Sequence, residues 1–376
     1  MRLIRPVLLV RVGSTLLGAA LCLPVSAPAS AFAQATPSAA TTPTATTTTT
    51  TTTTITTKKT THRSSTARKT AYSAKASYAR KTTLARARAS ARAREQARLN
   101  SLAQLHVAMT PHFKLDANGQ EIPDVQAAAA VIFNPGNGQI LYEENSQEKR
   151  SIASITKVMT ALVYLEDNPD LNQTVTVERS DTYAASTTYL RANDKITSGE
   201  LLHLLLIASD NAAARALART SHGGTAPFVE RMNEKAIELG LQNTSFADPS
   251  GLNPNDMSSA FDLSHLITFA ASDERISSIM RTPEYTVTTS RRAIPIHSTN
   301  HLVRDGDVDV LGAKTGFISK SGYCLATLLR LPQGDPIAVV VLGAHSNNGR
   351  FWEVRHLFSW LESKAGDLLP KEEVQK

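Results

Sequence analysis

Apolar, strand-like runs stand at both ends of the folding part of this 376-residue chain, and helical patterns fill the space between them. At the first end, Ala127-Ala-Ala-Ala-Val-Ile-Phe133 and Gln139-Ile-Leu-Tyr-Glu143 flank the turn formers Asn134-Pro-Gly-Asn-Gly138, which reads as a β-hairpin. At the other end, residues 311–318, 323–330 and 336–343 are separated by Lys320-Ser-Gly322 and Gln333-Gly-Asp335, which reads as an antiparallel meander. Hairpin and meander are expected to share one antiparallel sheet flanked by helices, giving an α+β fold with an adjoining helical subdomain.

The middle supplies those helices. One begins near Ser154 and carries Met159, Leu162 and Leu165 along its buried side. Residues 174–177 form a short strand. Thr197-Ser-Gly-Glu200 reads as a capping box opening the run 201–207. Further helices are expected after Asn211 through Ala218, over 226–239 up to Gly240, and over 263–271 and 275–281. Strands resume at Ile294, and a last helix over 349–364 places Phe351, Val354, Leu357, Phe358 and Leu361 on one side.

The sequence ahead of residue 124 has a different character. Residues 1–33 read as a secretory signal, with Arg2, Arg5 and Arg11 ahead of a short apolar core and Ala31-Phe-Ala33 as cleavage site. That core is shorter than the roughly 20 residues needed to span a bilayer. Residues 34–61 are mostly threonine and cannot bury enough apolar surface to offset chain entropy, so a disordered spacer is expected. Residues 62–123 form a basic tail rich in Ala, Arg and Lys, disordered or partly helical. The formal net charge of +7 divides into +12 on 58–98 and +3 on 1–57, leaving −8 on 99–376. The basic tail therefore suits an anionic cell-wall or membrane surface. Export makes nucleic acid an unexpected partner. The folded domain is expected over 124–364, with a C-terminal tail at 365–376. Cleavage of the signal would leave Cys324 alone in an apolar run, where it reads as a buried structural thiol.

Three short motifs carry chemistry. In Ser154-Ile-Thr-Lys157 a hydroxyl and an amine three residues apart meet on one helix face, and can serve as nucleophile and base without a histidine. Ser209-Asp-Asn211 lies between two helical patterns, so its polar groups can project from an interhelical turn. Lys314-Thr-Gly316 lies in a strand. Each of the first two has look-alikes: Ser146-Gln-Glu-Lys149, Ser298-Thr-Asn300 and Ser346-Asn-Asn348. Position separates them. Ser146 has no helix beneath it, Ser298 lies just ahead of Lys314, and Ser346 follows it. No His-Glu-x-x-His run or zinc-type cysteine cluster is present, so no metal or other cofactor is expected.

The three motifs in this order resemble those of class A β-lactamases and penicillin-binding proteins. With Thr244-Ser-Phe-Ala-Asp-Pro-Ser-Gly-Leu252 and the run from Ala313 to Leu325, the chain resembles the serine D-Ala-D-Ala peptidases, the low-molecular-mass penicillin-binding proteins, over about 124–364. The resemblance implies a β-lactamase/DD-peptidase-like fold, peptidoglycan stem peptides as substrate and β-lactams as inhibitors; with the export signal, a periplasmic or extracellular, cell-wall-associated location is expected. It also implies roles. Ser154 would attack the carbonyl between two D-alanines, and Lys157 would take its proton, which requires burial and a neighbouring cation, Lys314, to lower its pKa. Ser209 would relay the proton. Asn211 would hold Lys157 and the substrate amide, and Lys314 and Thr315 would bind the terminal carboxylate. Gly316 would admit substrate along the strand edge. The backbone N–H groups of Ser154 and Phe317 would form the oxyanion hole.

Two alternatives stand beside this reading. A class A β-lactamase would need a Glu-x-x-Leu-Asn loop, and none lies between Asn211 and Lys314. A non-catalytic peptidoglycan-binding protein would keep the cleft without the reaction, and the intact triple argues against it. Both carboxypeptidase and endopeptidase action fit. The sequence ends twelve residues past the expected end of the last helix, without the second β domain of many carboxypeptidases in this family, which tilts the expectation toward an endopeptidase-like form.

Overall fold

The computed structural model describes residues 109–368 continuously and, ahead of them, residues 83, 85–100, 102, 103 and 106. The signal read at 1–33, the spacer at 34–61, most of the basic segment before 85 and the end of the C-terminal tail lie outside the described residues. Within the basic segment a helix, α1, runs through 85–100 with every residue exposed. Among the described residues no helix is long and apolar enough to cross a membrane.

Folding starts earlier than residue 124. Strands β1 (Phe113–Leu115) and β2 (Glu121–Pro123) form an antiparallel hairpin. Three long-range ties hold it to the rest of the domain. Lys114 pairs with Glu144, Tyr142 Oη donates to Pro123 O at 3.1 Å, and Trp360 Nε1 donates to Glu121 O at 3.4 Å.

The first expected hairpin is present as β3 (Ala129–Asn134) and β4 (Gln139–Glu144). A short strand, β5 (Arg150–Ser151), leads into a 3-10 turn at Ala153–Ile155 and helix α2 (Thr156–Glu166). Then come β6 (Thr174–Thr176), α3 (Arg179–Thr182), β7 (Lys195–Thr197), α4 (Ser198–Leu206), α5 (Asn211–Thr220) and α6 (Thr225–Glu238). Beyond a long loop lie β8 (Met257–Ser258), α7 (Ala260–Ser272), α8 (Glu274–Met280), β9 (Glu284–Thr288), β10 (Ala293–His297) and α9 (His301–Asp305). The meander β11 (Asp309–Ile318), β12 (Gly322–Arg330) and β13 (Pro336–Ala344) precedes α10 (Asn347–Leu368), which passes the expected end at 364.

One five-stranded antiparallel sheet, in the order β11-β12-β13-β3-β4, joins hairpin to meander as expected. It is apolar on both faces because helices cover both. Ala129, Val131, Phe133, Val340 and Leu342 face the core shared with α7, whereas Ala130, Ile132, Val339 and Val341 face Phe351, Val354, Leu357 and Leu361 of α10. This two-sided burial explains why the strands read as continuous apolar runs rather than as alternating ones. Cys324 is fully buried in β12, and burial raises its thiol pKa.

Helix α2 is buried all round, not only along one side: every residue from Thr156 to Leu165 is enclosed, against α4, α5, α6 and α7. Such a helix forms the centre of a subdomain. The expected capping box at α4 is only half formed. Thr197 Oγ1 accepts from Glu200 N at 3.2 Å, while the Glu200 side chain takes the backbone of Thr288 instead. Strand β9 and helix α9 were not anticipated from sequence.

Candidate active site

The 3-10 turn delivers Ser154 to the edge of the sheet. Ala153 ahead of it has φ +49°, a left-handed conformation that costs a non-glycine residue about 1–2 kcal/mol. Ser154 is half-buried, and one turn later Lys157 points into the interior. Lys157 Nζ donates to Ser154 Oγ at 2.9 Å, to Asn211 Oδ1 at 2.7 Å and to the carbonyl of Ser250. Three acceptors satisfy all the donors an ammonium offers, and a neutral amine here would present its lone pair to the serine hydroxyl.

Ser209-Asp-Asn211 forms the turn between α4 and α5. Ser209 has φ +59°, a second strained residue facing the same cleft. Asp210 holds the turn from behind. Its Oδ1 caps α5 by accepting from Ala213 N at 2.9 Å, and its Oδ2 accepts from Tyr189 N at 2.7 Å and Thr188 Oγ1 at 3.0 Å. Asn211 directs its amide nitrogen to Ala185 O at 2.7 Å, which aims its oxygen at Lys157. The second lone pair of that oxygen is left for an incoming N–H.

Strand β11 is the outer strand of the sheet, so its far edge faces the cleft rather than another strand. Lys314 Nζ donates to Ser209 Oγ at 2.8 Å and to Thr315 O at 3.0 Å. Thr315 Oγ1 lies 2.6 Å from Thr299 Oγ1. Gly316 allows a close backbone approach: an added Cβ would stand 2.5 Å from Ile152 O, in the backbone leading to the 3-10 turn. Arg350, the fourth residue of α10, locks this strand from the opposite side by donating to Gly316 O at 2.9 Å and Cys324 O at 3.2 Å. Phe317 is half exposed and stacks on Tyr323 with ring centroids 4.2 Å apart.

The electrostatics follow from burial. The Lys157 amine is lowered to about 7, first by burial and also by Arg215, against the opposing pull of Asp248, Asp210 and Asp256. Lys314 is also lowered well below an ordinary lysine, by burial, then by Lys157 and Arg350. Of the two causes expected for Lys157, burial is the largest, and the cation that lowers it is Arg215 rather than Lys314, which is itself lowered by Lys157.

The look-alike motifs have other tasks. Ser146 Oγ donates to Glu143, with Lys149 exposed. Asn300 Oδ1 caps α9 through Leu302 N, and Ser346 Oγ accepts from Gly349 N at the start of α10. The motif reading missed the carbonyl of Ser250, and also Thr299 and Arg350. Backbone carbonyls leave no residue-type signature; the nearest sequence sign is Gly251, whose φ of +80° lets the chain turn there. Among the described residues no group of His, Cys, Asp or Glu side chains is gathered to hold a metal ion.

Comparison with known proteins agrees with this geometry. A family model described as D-alanyl-D-alanine carboxypeptidase matches residues 116–346. A D-alanyl-D-alanine endopeptidase of Escherichia coli is 32% identical over 252 residues, covering 66% of this chain and 80% of that relative. A D-alanyl-D-alanine carboxypeptidase of Bacillus subtilis is 32% identical over 246 residues, covering 64% of this chain and 63% of the relative. The crystal structure of the Streptomyces K15 DD-transpeptidase superposes with a TM-score of 0.60 at 28% identity, over 63% of this chain and 97% of that one.

Proposed function

The chain belongs to the D-alanyl-D-alanine carboxypeptidase family, a family of serine hydrolases acting on peptidoglycan peptides, and from that membership we propose how its own residues divide the work. Ser154 is the nucleophile. Its Oγ attacks the D-alanyl carbonyl while its proton passes to the neutral amine of Lys157. The tetrahedral oxyanion is held by the backbone N–H groups of Ser154 and Phe317. Collapse breaks the C–N bond, and the leaving amine takes a proton relayed through Ser209. Water, with Lys157 again accepting a proton, then hydrolyses the ester. Lys314 and Thr315 hold the substrate carboxylate, and Asn211 accepts from the substrate amide. The observation carrying this reading is the 2.9 Å contact of Lys157 Nζ with Ser154 Oγ in a site where burial keeps the amine largely able to shed its charge.

We further propose that the preferred bond is the D-alanyl cross-link between stems. The support is the match over 80% of the endopeptidase relative against 63% of the carboxypeptidase relative. Purified enzyme incubated with cross-linked dimer and with pentapeptide monomer muropeptides is expected to split the dimer faster. Release of free D-alanine from the monomer as the dominant product would overturn that preference. Loss of both reactions in Ser154→Ala ties them to this site, and slow release of bound penicillin, over minutes or longer, separates the enzyme from a β-lactamase.

Peptidoglycan lies outside the cytoplasm, and the signal-like residues 1–33 support export. We propose that residues 62–98 attach the enzyme by charge to an anionic wall or membrane surface. Arg86, Arg88, Arg92, Arg94 and Arg98 are exposed on α1, against the single acid Glu95. Sedimentation with anionic vesicles or wall fragments should be salt-sensitive and should disappear when residues 62–98 are deleted. Unchanged sedimentation of the deletion variant would remove this role.

A further inference from the structure

Beneath the Lys157 amine lies a loop, residues 247–256, that none of the three motifs includes. Its organiser is Asp248. The Oδ1 atom of this residue accepts from Ser250 N at 2.5 Å, Ser250 Oγ at 2.7 Å and Gly251 N at 2.8 Å, and its Oδ2 accepts from Asn253 N at 2.5 Å. Behind it, the buried Asp256 accepts from Ala247 N at 2.6 Å and Asp248 N at 3.1 Å, both through Oδ1. The loop is then fastened to the nucleophile-bearing segment at three points. Ile152 N donates to Asp256 O at 3.1 Å, Thr160 Oγ1 donates to Pro249 O at 2.6 Å, and Lys157 donates to Ser250 O.

We propose that Asp248 is a positioning residue for the acylation base: it fixes the Ser250 carbonyl against Lys157 Nζ and sets a negative charge beneath the amine. This rests on the reading of Lys157 as the base. Both halves of the role require a carboxylate. Four donors converge on its two oxygens, and an asparagine would turn an NH2 group toward one of them. The charge matters because the groups facing Lys157 are few. Asp248 and Asp256 face it from the loop, Asp210 and Arg215 from α5, and Lys314 from β11. Among the acids Asp248 exerts the largest pull. Asp210 is occupied in capping α5, and burial together with the Asp248 charge raises Asp256 to about 7, so it is partly protonated near neutrality. Without Asp248, burial would act on the amine with little to oppose it. Lys157 would then be unprotonated at lower pH and a weaker acceptor for the serine proton.

The test is the pH dependence of acylation by benzylpenicillin. In the parent the rate should rise as Lys157 loses its proton, and Lys157→Met should abolish that limb; a limb that survives in Lys157→Met would refute the base assignment itself and not the role of Asp248. With the limb assigned, Asp248→Asn is expected to move its midpoint to lower pH by about half a unit or more, because removing a negative charge disfavours the ammonium form. A folded Asp248→Asn protein with the limb at the parent's pH overturns the electrostatic half. Asp248→Glu keeps the charge and displaces the oxygens. It should leave the limb in place while lowering the plateau rate about tenfold or more, the scale on which misplaced catalytic groups lose rate. A plateau equal to the parent's overturns the positioning half, whether or not Asp248→Asn folds.

Discussion

Lys157→Met should give a folded protein that acylates about a thousand-fold more slowly than the parent, or worse. Methionine has similar length and no charge, and the site it would occupy is fully buried inside the all-round-buried helix α2. The substitution removes the cost of burying an amine but leaves Asn211 Oδ1 and Ser250 O without their donor, a loss of about 1–3 kcal/mol for each unsatisfied group. The melting temperature should therefore move only a few degrees, while a general base contributes about 10²–10⁴ in rate. The sign of the pH dependence follows from the same burial. A lysine lowered to about 7 is charged below that pH and cannot accept the serine proton, so acylation in the parent falls as pH drops through about 7. Stopped-flow acylation with a chromogenic β-lactam checks both points. Acylation of Lys157→Met within tenfold of the parent would place the base elsewhere.

The second large effect is expected at Gly251→Ala. An alanine Cβ there would stand 2.1 Å from Ala153 O and 2.8 Å from Ser154 N, and both neighbours are backbone atoms that cannot swing aside. Residue 251 also has φ +80°. Left-handed strain of about 1–2 kcal/mol and overpacking of about 1–3 kcal/mol act together on the turn that carries Ser154. For a domain of this size the melting temperature should fall by about 4–20 °C, with loss of penicillin binding. Gly240→Ala is the control. It shares the positive φ, at +70°, but nothing lies within 4 Å of its Cβ, so only the backbone strain remains. Equal melting temperatures for the two variants would show that the contact of loop 247–256 with Ala153 is dispensable.

Much of the framework was legible because its signals are local. β3, β12 and β13 are apolar on both faces, so their runs are continuous, and Gly240 marks a helix end by its own chemistry, whereas the start of α5, expected after Asn211, lies at Asn211 with Asp210 as its cap. What escaped notice depends on partners distant in sequence. β9, Glu-Tyr-Thr-Val-Thr, buries only Val287 fully, and β1 buries none of its three residues fully, so neither offers a hydrophobic period to read. The β1-β2 hairpin is held to the body by remote groups such as Glu144 and Trp360, whereas β9 pairs with its sequence neighbour β10. Within the site, the hydroxyls and amines were visible as side chains, whereas the Ser250 carbonyl and the strained φ of Ala153 and Ser209 belong to the backbone. The position of Arg350 could be read, but its purpose could not, because its acceptors lie on β11 and β12.

The order of strands in the sheet sets a timetable for the nascent chain. β11 pairs only with β12, and the β11-β12 hairpin reaches the rest of the sheet through β13, where Val340 lies opposite Val131. A growing polypeptide that has already presented Ser154, Ser209 and Lys314 therefore has no completed cleft, because the strand bearing Lys314 docks only after β13 arrives and Arg350 closes behind it. Pairing across so long a stretch of sequence is intrinsically slow. Topology thus makes assembly of the cleft around Ser154 a late event that waits on β13 and α10.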